Sequence, residues 1–350
     1  MARIYLGGAG GAPTNNVIKS LRESHRKDYL IGASSTPSDL FLADTEERHV
    51  VPRATAPEYV DRLLSLLQTT RADFMHVQND YEVQAVSRLR SRIQAAGVKL
   101  FMPSAQVVED CIDKQRSYAI WQKSGLPVPR TRLLRNPDEL EQAFHDLGPK
   151  LWLRATVGGG GRGALPTDNR VFARHWIDYF EGWGTFTAAE ILSPDSVTWL
   201  SIWSEGELVV AQTRRRRSWS FGDRTLSGVT GVTGVAETAS DAVVDDIAER
   251  AIRAIDVKPN GIYGVDMTYD ANGVPNPTEI NISRFFTTVH FFTRAGLNLP
   301  AIYCDLALEG KLPKLERRVN PLPDGLVWIR GMDVEPVLTT HQDLARIEGR

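Results

Sequence analysis

Apolar positions in the first hundred residues follow two alternating patterns. Short apolar runs predict strands at residues 3–6, 29–33, 74–78 and 99–102. Between these runs, apolar residues three or four positions apart predict helices, first at Val60, Leu63, Leu64 and Leu67 and then at Val86, Leu89, Ile93 and Ala96. Strands that alternate with helices in this way predict a small open parallel sheet over residues 1–105.

The next part of the chain begins with a helix and returns to a strand. Ser104 is a candidate N-cap for a helix that we expect to continue through Asp113 and Lys114 and to end near Gly125. Two prolines follow, and they prevent the helix from continuing. Residues 150–154 then predict a strand that runs into a glycine-rich stretch.

The second half of the chain contains the clearest amphipathic helix. Apolar residues at helical spacing from Val244 to Ile255 predict it. Two strand-like runs follow, at 262–269 and 278–283, and an Asn-Gly pair lies between them. That combination predicts a β-hairpin.

Composition and charge then limit the class of protein. A length of 350 residues predicts two or three packed subdomains, and a formal net charge of −2 without a long basic block argues against a nucleic-acid partner. We expect no signal peptide, because the start MARIYLGGAG lacks a long apolar core, and no membrane span, because no run of about 18 apolar residues occurs. Two distant cysteines indicate a reducing compartment, so we expect a cytoplasmic protein. Residues 347–350 (IEGR) match a protease-site linker, and we interpret them as a tag remnant.

The glycine-rich run at Gly158–Gly163 is the first candidate for chemistry. Bare backbone lets an anion approach closely and turns successive N–H groups toward it. Arg154 precedes the run on the predicted strand, and Lys114 lies one helix earlier, so two cations accompany the loop. The run is not a Walker A loop, since no Gly-Lys-Ser/Thr follows it. A polyphosphate cradle and a merely flexible loop both remain open at this point.

The second candidate lies on the predicted hairpin and consists of Asp266, Glu279 and Asn281. Glu279 and Asn281 are two positions apart on one strand, so their side chains share a face. Asp266 joins them if the pairing of the two strands allows it. Three oxygen ligands on one face suit Mg²⁺. The alternative is a solvated sheet face with ordinary polar residues.

The order of these motifs resembles the ATP-grasp superfamily. The resemblance rests on Asp113-Lys114 before a helix, the strand 151–154 entering Gly158–Gly163, the segment 189–192 (Ala-Glu-Ile-Leu), and Glu279-Ile-Asn281. The chain looks most like the carbamoyl-phosphate-synthase-like and carboxylate–amine ligase branch, over about residues 105–315.

The resemblance implies an α/β architecture of four parts. A Rossmann-like domain with an open parallel sheet would occupy residues 1–105, and the small ATP-grasp subdomain with its glycine-rich loop would occupy 106–190. The large subdomain with the metal site would span 191–320, and residues 321–350 would form a C-terminal extension.

The resemblance also implies how the chain would bind ATP. Lys114 and Arg154 would hold the phosphates, with Arg154 in place of the more usual lysine. The loop would close over the phosphates through its glycines, namely Gly158, Gly159, Gly160, Gly161 and Gly163. Glu190 and Leu192 would meet the adenine, largely through backbone groups, and Asp195 is a candidate for the ribose hydroxyls.

Metal binding and catalysis are implied in the same way. Asp266, Glu279 and Asn281 would bind Mg²⁺, for which Mn²⁺ would substitute. Arg154 and Arg284 are the candidate catalytic residues. The family's usual Asn-x-Arg is altered here, because Arg284 comes one position late, and whether it reaches an acyl phosphate stays open.

These features predict an ATP-dependent carboxylate–amine ligase that forms an amide bond through an acyl phosphate and releases ADP and phosphate. Its partners would be a small-molecule carboxylate and an amine, and we expect a homodimer. Two alternatives remain, phosphorylation of a carboxylate or bicarbonate, and a non-catalytic nucleotide-binding regulator. A dehydrogenase that uses the glycines of residues 8–13 is a more distant one, since Pro13 replaces the third glycine of that fingerprint.

Four further features of the sequence remain open. Two of the four arginines in Arg214–Arg217 would face a cleft if the segment is a strand, or all four would be solvated. The glycines at 228–234 suggest a mobile substrate loop. Asp80 and Glu82 follow a strand and would contact substrate or begin a helix, and His290 is better explained as a packing residue than as a catalyst.

Overall fold

The computed structural model of the chain describes residues 1–332 and 335–347. Its strands are β1 Arg3–Gly7, β2 Tyr29–Ser34, β3 Glu47–Val50, β4 Phe74–His76, β5 Thr131–Leu134, β6 Leu151–Ala155, β7 Leu165–Thr167, β8 Phe186–Glu190, β9 Ser196–Ser204, β10 Glu207–Trp219, β11 Thr233–Ala239, β12 Gly261–Tyr269, β13 Pro275–Ile282, β14 Leu326–Ile329 and β15 Val337–Thr340. Its helices are α1 Ala12–Arg22, α2 Tyr59–Thr69, α3 Asp80–Arg88, α4 Arg90–Ala95, α5 Ala105–Ile112, α6 Lys114–Lys123, α7 Pro137–Asp146, α8 Arg170–Tyr179, α9 Ala242–Ile255, α10 Val289–Arg294, α11 Leu299–Glu309 and α12 His341–Ile347. Residues 348–350 of the predicted tag remnant lie outside the described residues.

The first 105 residues form the predicted parallel sheet, with strand order β3-β2-β1-β4. Strands β1, β2 and β4 carry buried apolar side chains on both faces, as expected of a parallel sheet covered on two sides, whereas the edge strand β3 has no buried residue. Contrary to the prediction, residues 99–102 do not form a strand. Only Lys99 forms an isolated bridge, to Phe74, because the chain leaves the sheet at Pro103 and starts α5.

A small antiparallel sheet of order β5-β8-β6-β7 follows. One face of this sheet and helices α7 and α8 enclose a separate core that includes Leu134, Phe144, Leu153, Ile177 and Phe186. The glycine-rich run lies between β6 and β7, at the end of this sheet.

The largest sheet has seven antiparallel strands in the order β13-β12-β9-β10-β11-β14-β15. The predicted hairpin is its edge, formed by β12 and β13. The C-terminal segment contributes β14 and β15, which extend the sheet from β11. Helix α9 packs under the sheet, with Ile247, Ala248 and Ile252 in the same core as Val265 and Ile280.

Asp113 interrupts the helix that was predicted to run from Ser104 to Gly125. Ser104 caps α5 as predicted, but Asp113 has φ −84° and ψ 103° and accepts hydrogen bonds from the N–H groups of Gln115 and Arg116. An aspartate that caps a second helix competes with the continuation of the first. The break makes Lys114 the first residue of α6 and turns it toward the site described below.

Helices α5 and α6 pack against the large sheet, and Val108 and Trp121 share a core with Ile252. The limits of the domains stay predictions.

In the part of the chain that the structure describes, no helix has the length and apolar character needed to cross a bilayer.

Candidate active site

The pairing of four strands places charged residues in one row across the large sheet. Asp266 on β12 lies opposite Glu279 on β13 and opposite Thr198 on β9, and Thr198 in turn lies opposite Arg214 on β10. Residues opposite each other in antiparallel strands project on the same face. The hairpin register therefore brings Asp266 and Glu279 together, as the magnesium hypothesis requires.

Asp266 is held by two neutral donors. Thr198 Oγ1 donates to Asp266 Oδ1 over 2.5 Å, and Asn281 Nδ2 donates to Asp266 Oδ2 over 3.0 Å. The Asn281 nitrogen is occupied in this way, which directs its amide oxygen elsewhere. Among the described residues no group of three or more His, Cys, Asp and Glu side chains converges. A cation here would thus rely on two carboxylates and one amide oxygen, a donor set that suits Mg²⁺ with water and phosphate completing its shell.

Lys114 and Arg154 converge on Glu279 from the other side. The N–H of Lys114 donates to the carbonyl of Thr156 over 2.8 Å, which fixes the start of α6 beside the end of β6. Lys114 Nζ lies 3.4 Å from Glu279 Oε2 and donates to the carbonyl of Gly158 over 2.7 Å. Arg154 Nη2 donates to the carbonyl of Thr278 over 2.8 Å. The structure thus places both predicted phosphate-binding cations at the glycine-rich loop and next to the hairpin.

The charges around Glu279 keep it ionised. Burial by itself would raise the pKa of the Glu279 carboxyl, but the positive charges of Lys114, Arg154 and Arg284 outweigh burial and lower that pKa. Burial lowers the pKa of Arg154, while the negative charge of Glu279 acts in the opposite direction. A carboxylate held in its charged form is what a metal ligand needs.

The glycine-rich loop lies against a second loop, the segment between β10 and β11. A Cβ on Gly161 would lie 2.7 Å from the carbonyl oxygen of Val229, and a Cβ on Gly231 would lie 2.7 Å from the Cα of Gly160. Both glycines also have positive φ, of 73° each. Only glycine permits this backbone-to-backbone contact. The two loops, 158–163 and 220–232, are thus in contact, and the first of them also meets Lys114 through the carbonyl of Gly158.

Arg284 connects the large sheet with the N-terminal domain. Its Nε lies 2.9 Å from Asp80 Oδ1, at the start of α3, and a Cβ on Gly159 would lie 3.3 Å from Asp80 Oδ2. That Cβ would also lie 4.0 Å from Arg284 Nη2, so the guanidinium lies beside the glycine-rich loop, and its positive charge lowers the pKa of the Glu279 carboxyl. Asp80 begins a helix, as one interpretation predicted, and also faces the site through this ion pair.

The predicted adenine segment connects the small sheet to the large one. Glu190 ends β8, and Leu192 and Asp195 lie in the connection to β9. The Glu190 carboxylate accepts from the backbone N–H and from Nε of Arg130, each over 2.8 Å, so its side chain is already engaged. Asp195 is exposed. The contacts of Glu190, Leu192 and Asp195 with a nucleotide stay predictions.

Two arginines of the segment Arg214–Arg217 face the cleft, as strand alternation predicted. Arg214 is 1% exposed, and the side chain of Arg216 is 9% exposed. On the opposite face, Arg217 pairs with Glu237 over 2.7 Å, and Arg215 is exposed.

Several polar residues around these arginines were not identified from the sequence. They are Ser196, Thr198, Thr233 and Thr288, whose hydroxyls accept hydrogen bonds from the two guanidinium groups. Isolated serines and threonines carry no motif, and only the pairing of β9 with β10 could have indicated Ser196 and Thr198.

The remaining candidates fall outside the cleft. His290 Nε2 lies 2.8 Å from Glu23 Oε1 and its ring packs edge-on against Trp328, which supports a packing role. Glu82 is buried next to the glycine-rich turn at residues 7–11. There it accepts hydrogen bonds from Tyr59 Oη and Asn79 Nδ2.

Comparison with known proteins agrees with this fold. No protein-family model matches the sequence. A pyruvate carboxylase chain of Methanothermobacter thermautotrophicus is 27% identical over 152 residues, which make up 42% of this chain and 31% of that protein. Pyruvate carboxylase of Schizosaccharomyces pombe is 28% identical over 106 residues, or 30% of this chain and 9% of that protein. The chain thus spans less than a third of the length of either relative.

Solved structures are similar over nearly the whole chain. Biotin carboxylase from Campylobacter jejuni, in complex with β-γ-ATP, has a TM-score of 0.72 at 16% identity and covers 94% of this chain and 76% of its own. N5-carboxyaminoimidazole synthetase from Staphylococcus aureus has a TM-score of 0.71 at 13% identity and covers 99% and 96%. L-amino acid ligase from Bacillus licheniformis has a TM-score of 0.69 at 12% identity and covers 94% and 79%. At these identities the likeness shows the fold alone, and the predicted ATP-grasp fold is confirmed.

Proposed function

We propose that this chain is an ATP- and Mg²⁺-dependent enzyme that activates a carboxylate as an acyl phosphate and joins it to an amine. The observation that carries the proposal is the convergence on Glu279. Its carboxylate lies opposite Asp266 and beside Lys114, and the glycine-rich loop is in contact with the same lysine. An acid pair, two cations and a bare backbone loop are what transfer from a nucleoside triphosphate requires.

The charges of the cleft account for the first step. A carboxylate that attacks a γ-phosphoryl group brings two anions together, and fixed cations must offset their repulsion. Lys114 and Arg154 would do so on the nucleotide side, and Arg284 is the candidate on the acyl side. When bound by Asp266, Glu279 and Asn281, Mg²⁺ would neutralise further phosphate charge.

The two loops account for the second step. An acyl phosphate has a good leaving group, so a neutral amine can attack its carbonyl carbon without a strong base. Water would compete with the amine, and a cover over the cleft excludes it. The contact of Gly161 with Val229 and of Gly231 with Gly160 provides such a cover.

Bicarbonate in place of an organic acid is the second candidate. The observation in its favour is that two of the similar structures are a biotin carboxylase and an N5-carboxyaminoimidazole synthetase. If bicarbonate is the acid, the proposed roles of Lys114, Arg154 and Glu279 are unchanged.

We further propose a homodimer in the cytoplasm. The two cysteines are free and buried, in agreement with a reducing compartment. Light scattering during size-exclusion chromatography tests the dimer, and a mass of one chain contradicts it.

Release of ADP and phosphate tests the function directly. The protein is incubated with ATP and Mg²⁺ against pools of amino acids and other small carboxylic acids, with and without bicarbonate. Release that depends on one acid and one amine supports the ligase. Release with bicarbonate and an amine supports the second candidate. Binding of ATP without release in any pool contradicts both and favours a nucleotide-binding regulator.

A further inference from the structure

Arg214 and Arg216 form a buried cationic pair on the cleft face of β10. Arg214 lies opposite Thr198, and Arg216 lies opposite Ser196. Their neighbours on β9 are neutral, so no carboxylate lies directly opposite either arginine, and Asp266 pairs only with Arg216, at 3.8 Å. Buried arginines usually have such a partner, because an uncompensated charge in the interior is unfavourable.

Arg214 is surrounded by neutral groups. Its guanidinium donates to Thr198 Oγ1 over 2.9 Å, to Thr288 Oγ1 over 2.8 Å and to Thr233 Oγ1 over 3.2 Å. Its carbon Cζ lies 4.3 Å from the ring centre of Phe286, and its Nε is buried without a hydrogen-bond partner. Burial, with the repulsion of Arg216, lowers the pKa of Arg214 to about 9. The surroundings hold this charge in place without neutralising it.

Arg216 lies closer to the candidate metal ligands. Its guanidinium donates to Ser196 Oγ over 2.8 Å and stacks on the ring of Trp219 at 3.7 Å. Its Nη2 lies 3.8 Å from Asp266 Oδ1, an oxygen that already accepts from Thr198. The stacked indole fixes the plane of the guanidinium, which favours a paired hydrogen bond to a planar anion.

The charges of the cleft leave room for an anion. Five cationic side chains and three carboxylates lie around it. The cations are Lys114, Arg154, Arg214, Arg216 and Arg284, and the carboxylates are Asp80, Asp266 and Glu279. The excess lies on the β10 side, because Lys114 pairs with Glu279 and Arg284 pairs with Asp80, whereas Arg214 has no carboxylate within ion-pair distance in the described residues.

Strand order separates this pair from the nucleotide side. Glu279 on β13 and Arg214 on β10 belong to one row, with β12 and β9 between them. Three strand spacings put their Cα atoms about 14 Å apart. Asp266 lies between the two ends of the row, where a phosphoryl group passing from nucleotide to acid would be.

We infer that Arg216, stacked on Trp219 and backed by Arg214, binds the carboxylate of the acid substrate and orients it toward the metal ligands. The inference rests on the proposed function and assigns the acid to the β10 side of the cleft. The acid would be a small carboxylate bound at Arg216, and Lys114 with Arg154 would serve the nucleotide.

Steady-state kinetics separate this role from a structural one. In Arg216→Gln we expect the KM for the acid found in the ADP-release screen to rise at least thirtyfold, while the KM for MgATP changes less than threefold. Arg216→Lys should recover part of the loss, and Arg215→Gln on the exposed face is the matched control. A raised KM for MgATP with an unchanged KM for the acid would overturn the inference, and so would a loss of kcat with both KM values unchanged.

A binding measurement tests the same residue without turnover. Acetate, glycine and glutamate are titrated at constant ionic strength, with Mg²⁺ and ADP present, and tryptophan fluorescence is recorded. We expect a saturable change with at least one of them, absent in both Trp219→Phe and Arg216→Gln. No saturable change, or one that persists in Arg216→Gln, overturns the inference. Calorimetric titration of MgADP into each protein without added nucleotide distinguishes the two failures, because an absence of MgADP binding counts against the proposed function and not against Arg216.

Discussion

The two glycine-rich turns of the chain differ in what surrounds them. In the first, residues 7–11, a Cβ on Gly10 would lie 1.9 Å from the carbonyl oxygen of Asp39, and a Cβ on Gly7 would lie 2.7 Å from Glu82 Oε2. In the second, residues 158–163, a Cβ on Gly158 would have no neighbour within 4 Å. Further along the second turn, a Cβ on Gly161 would lie 2.7 Å from the carbonyl oxygen of Val229, and a Cβ on Gly163 would lie 2.9 Å from Phe186 Cζ.

This difference indicates that the first turn packs against its own domain, whereas the second leaves room for a ligand. The first turn resembles a dinucleotide fingerprint, yet its glycines are needed for close contact with Asp39 and Glu82. At the start of the second turn, Gly158 faces open space and its carbonyl accepts from Lys114 Nζ, so a ligand has room to approach the backbone there. Two turns of similar glycine content therefore differ in function, and variants at each turn should differ in what they impair.

The largest effect is expected beside the second turn, in the variant Glu279→Gln on β13. Loss of the carboxylate removes a candidate metal ligand and the partner of Lys114. We expect turnover to fall by about a thousandfold or more, the range of a lost electrostatic catalyst, while the circular dichroism spectrum stays unchanged. Glu205→Gln, at an exposed pair with Lys258, is the control. Near-normal turnover in Glu279→Gln would remove Glu279 from the site.

At the first turn, Gly10→Ala should affect stability. Its φ is 90°, and the added Cβ would collide with backbone. We expect the free energy of unfolding to fall by about 4 kcal/mol, from overpacking and left-handed strain together. The matched control is Gly97→Ala, where φ is 84° and nothing lies within 4 Å, so strain alone acts. Denaturant unfolding measures both, and equal losses in the two variants would refute the packing role.

Below the same turn, Glu82 should make stability depend on pH. Burial raises the pKa of Glu82 from 4.5 to about 7, against the hydrogen bonds of Tyr59 and Asn79. The folded protein therefore holds a proton that the unfolded chain releases, so this contribution is fullest below pH 4.5 and is lost as pH rises toward 7. Relative to Glu82→Gln, we expect the unfolding free energy to fall by about 3 kcal/mol over that range. Parallel pH profiles of the two proteins would contradict the shift.

The smallest effect is expected where the second turn meets the other loop. Gly231→Ala would place a Cβ 2.7 Å from Gly160 Cα and so keep the loops apart. Gly228→Ala is a close control, because its φ is 72° against 73° and its Cβ would be free. We expect turnover to fall about tenfold in Gly231→Ala only, since a looser cover admits water. Equal activities would show that the loop contact is not needed.

Much of the fold could be predicted from local pattern, and the exceptions have physical reasons. The parallel sheet and the β12–β13 hairpin follow from apolar periodicity and an Asn-Gly turn. The break at Asp113 was missed because apolar spacing alone does not show where a capping side chain ends one helix and starts another. A strand was predicted at 99–102 because these residues are mostly apolar. They are apolar because they pack into the core, and beyond Lys99 they do not pair with the sheet.

The site was predictable where sequence neighbours share it. Glu279 and Asn281 share a strand, and Arg154 leads into the glycine run. The pairing of Asp80 with Arg284 joins residues far apart in the chain, and no local pattern encodes it. Which arginines of β10 face the cleft depends on strand pairing, since alternation alone predicts two equivalent sets.

Transfer of oxygen from the acid to phosphate tests the central claim most directly. The acid identified by the ADP-release screen is labelled with ¹⁸O in its carboxylate and allowed to react with MgATP and the amine. We predict that one labelled oxygen appears in each released phosphate. The carboxylate oxygen attacks the γ-phosphorus and remains bound to it when the amine displaces the phosphate. Phosphate free of label would contradict activation of the acid as an acyl phosphate.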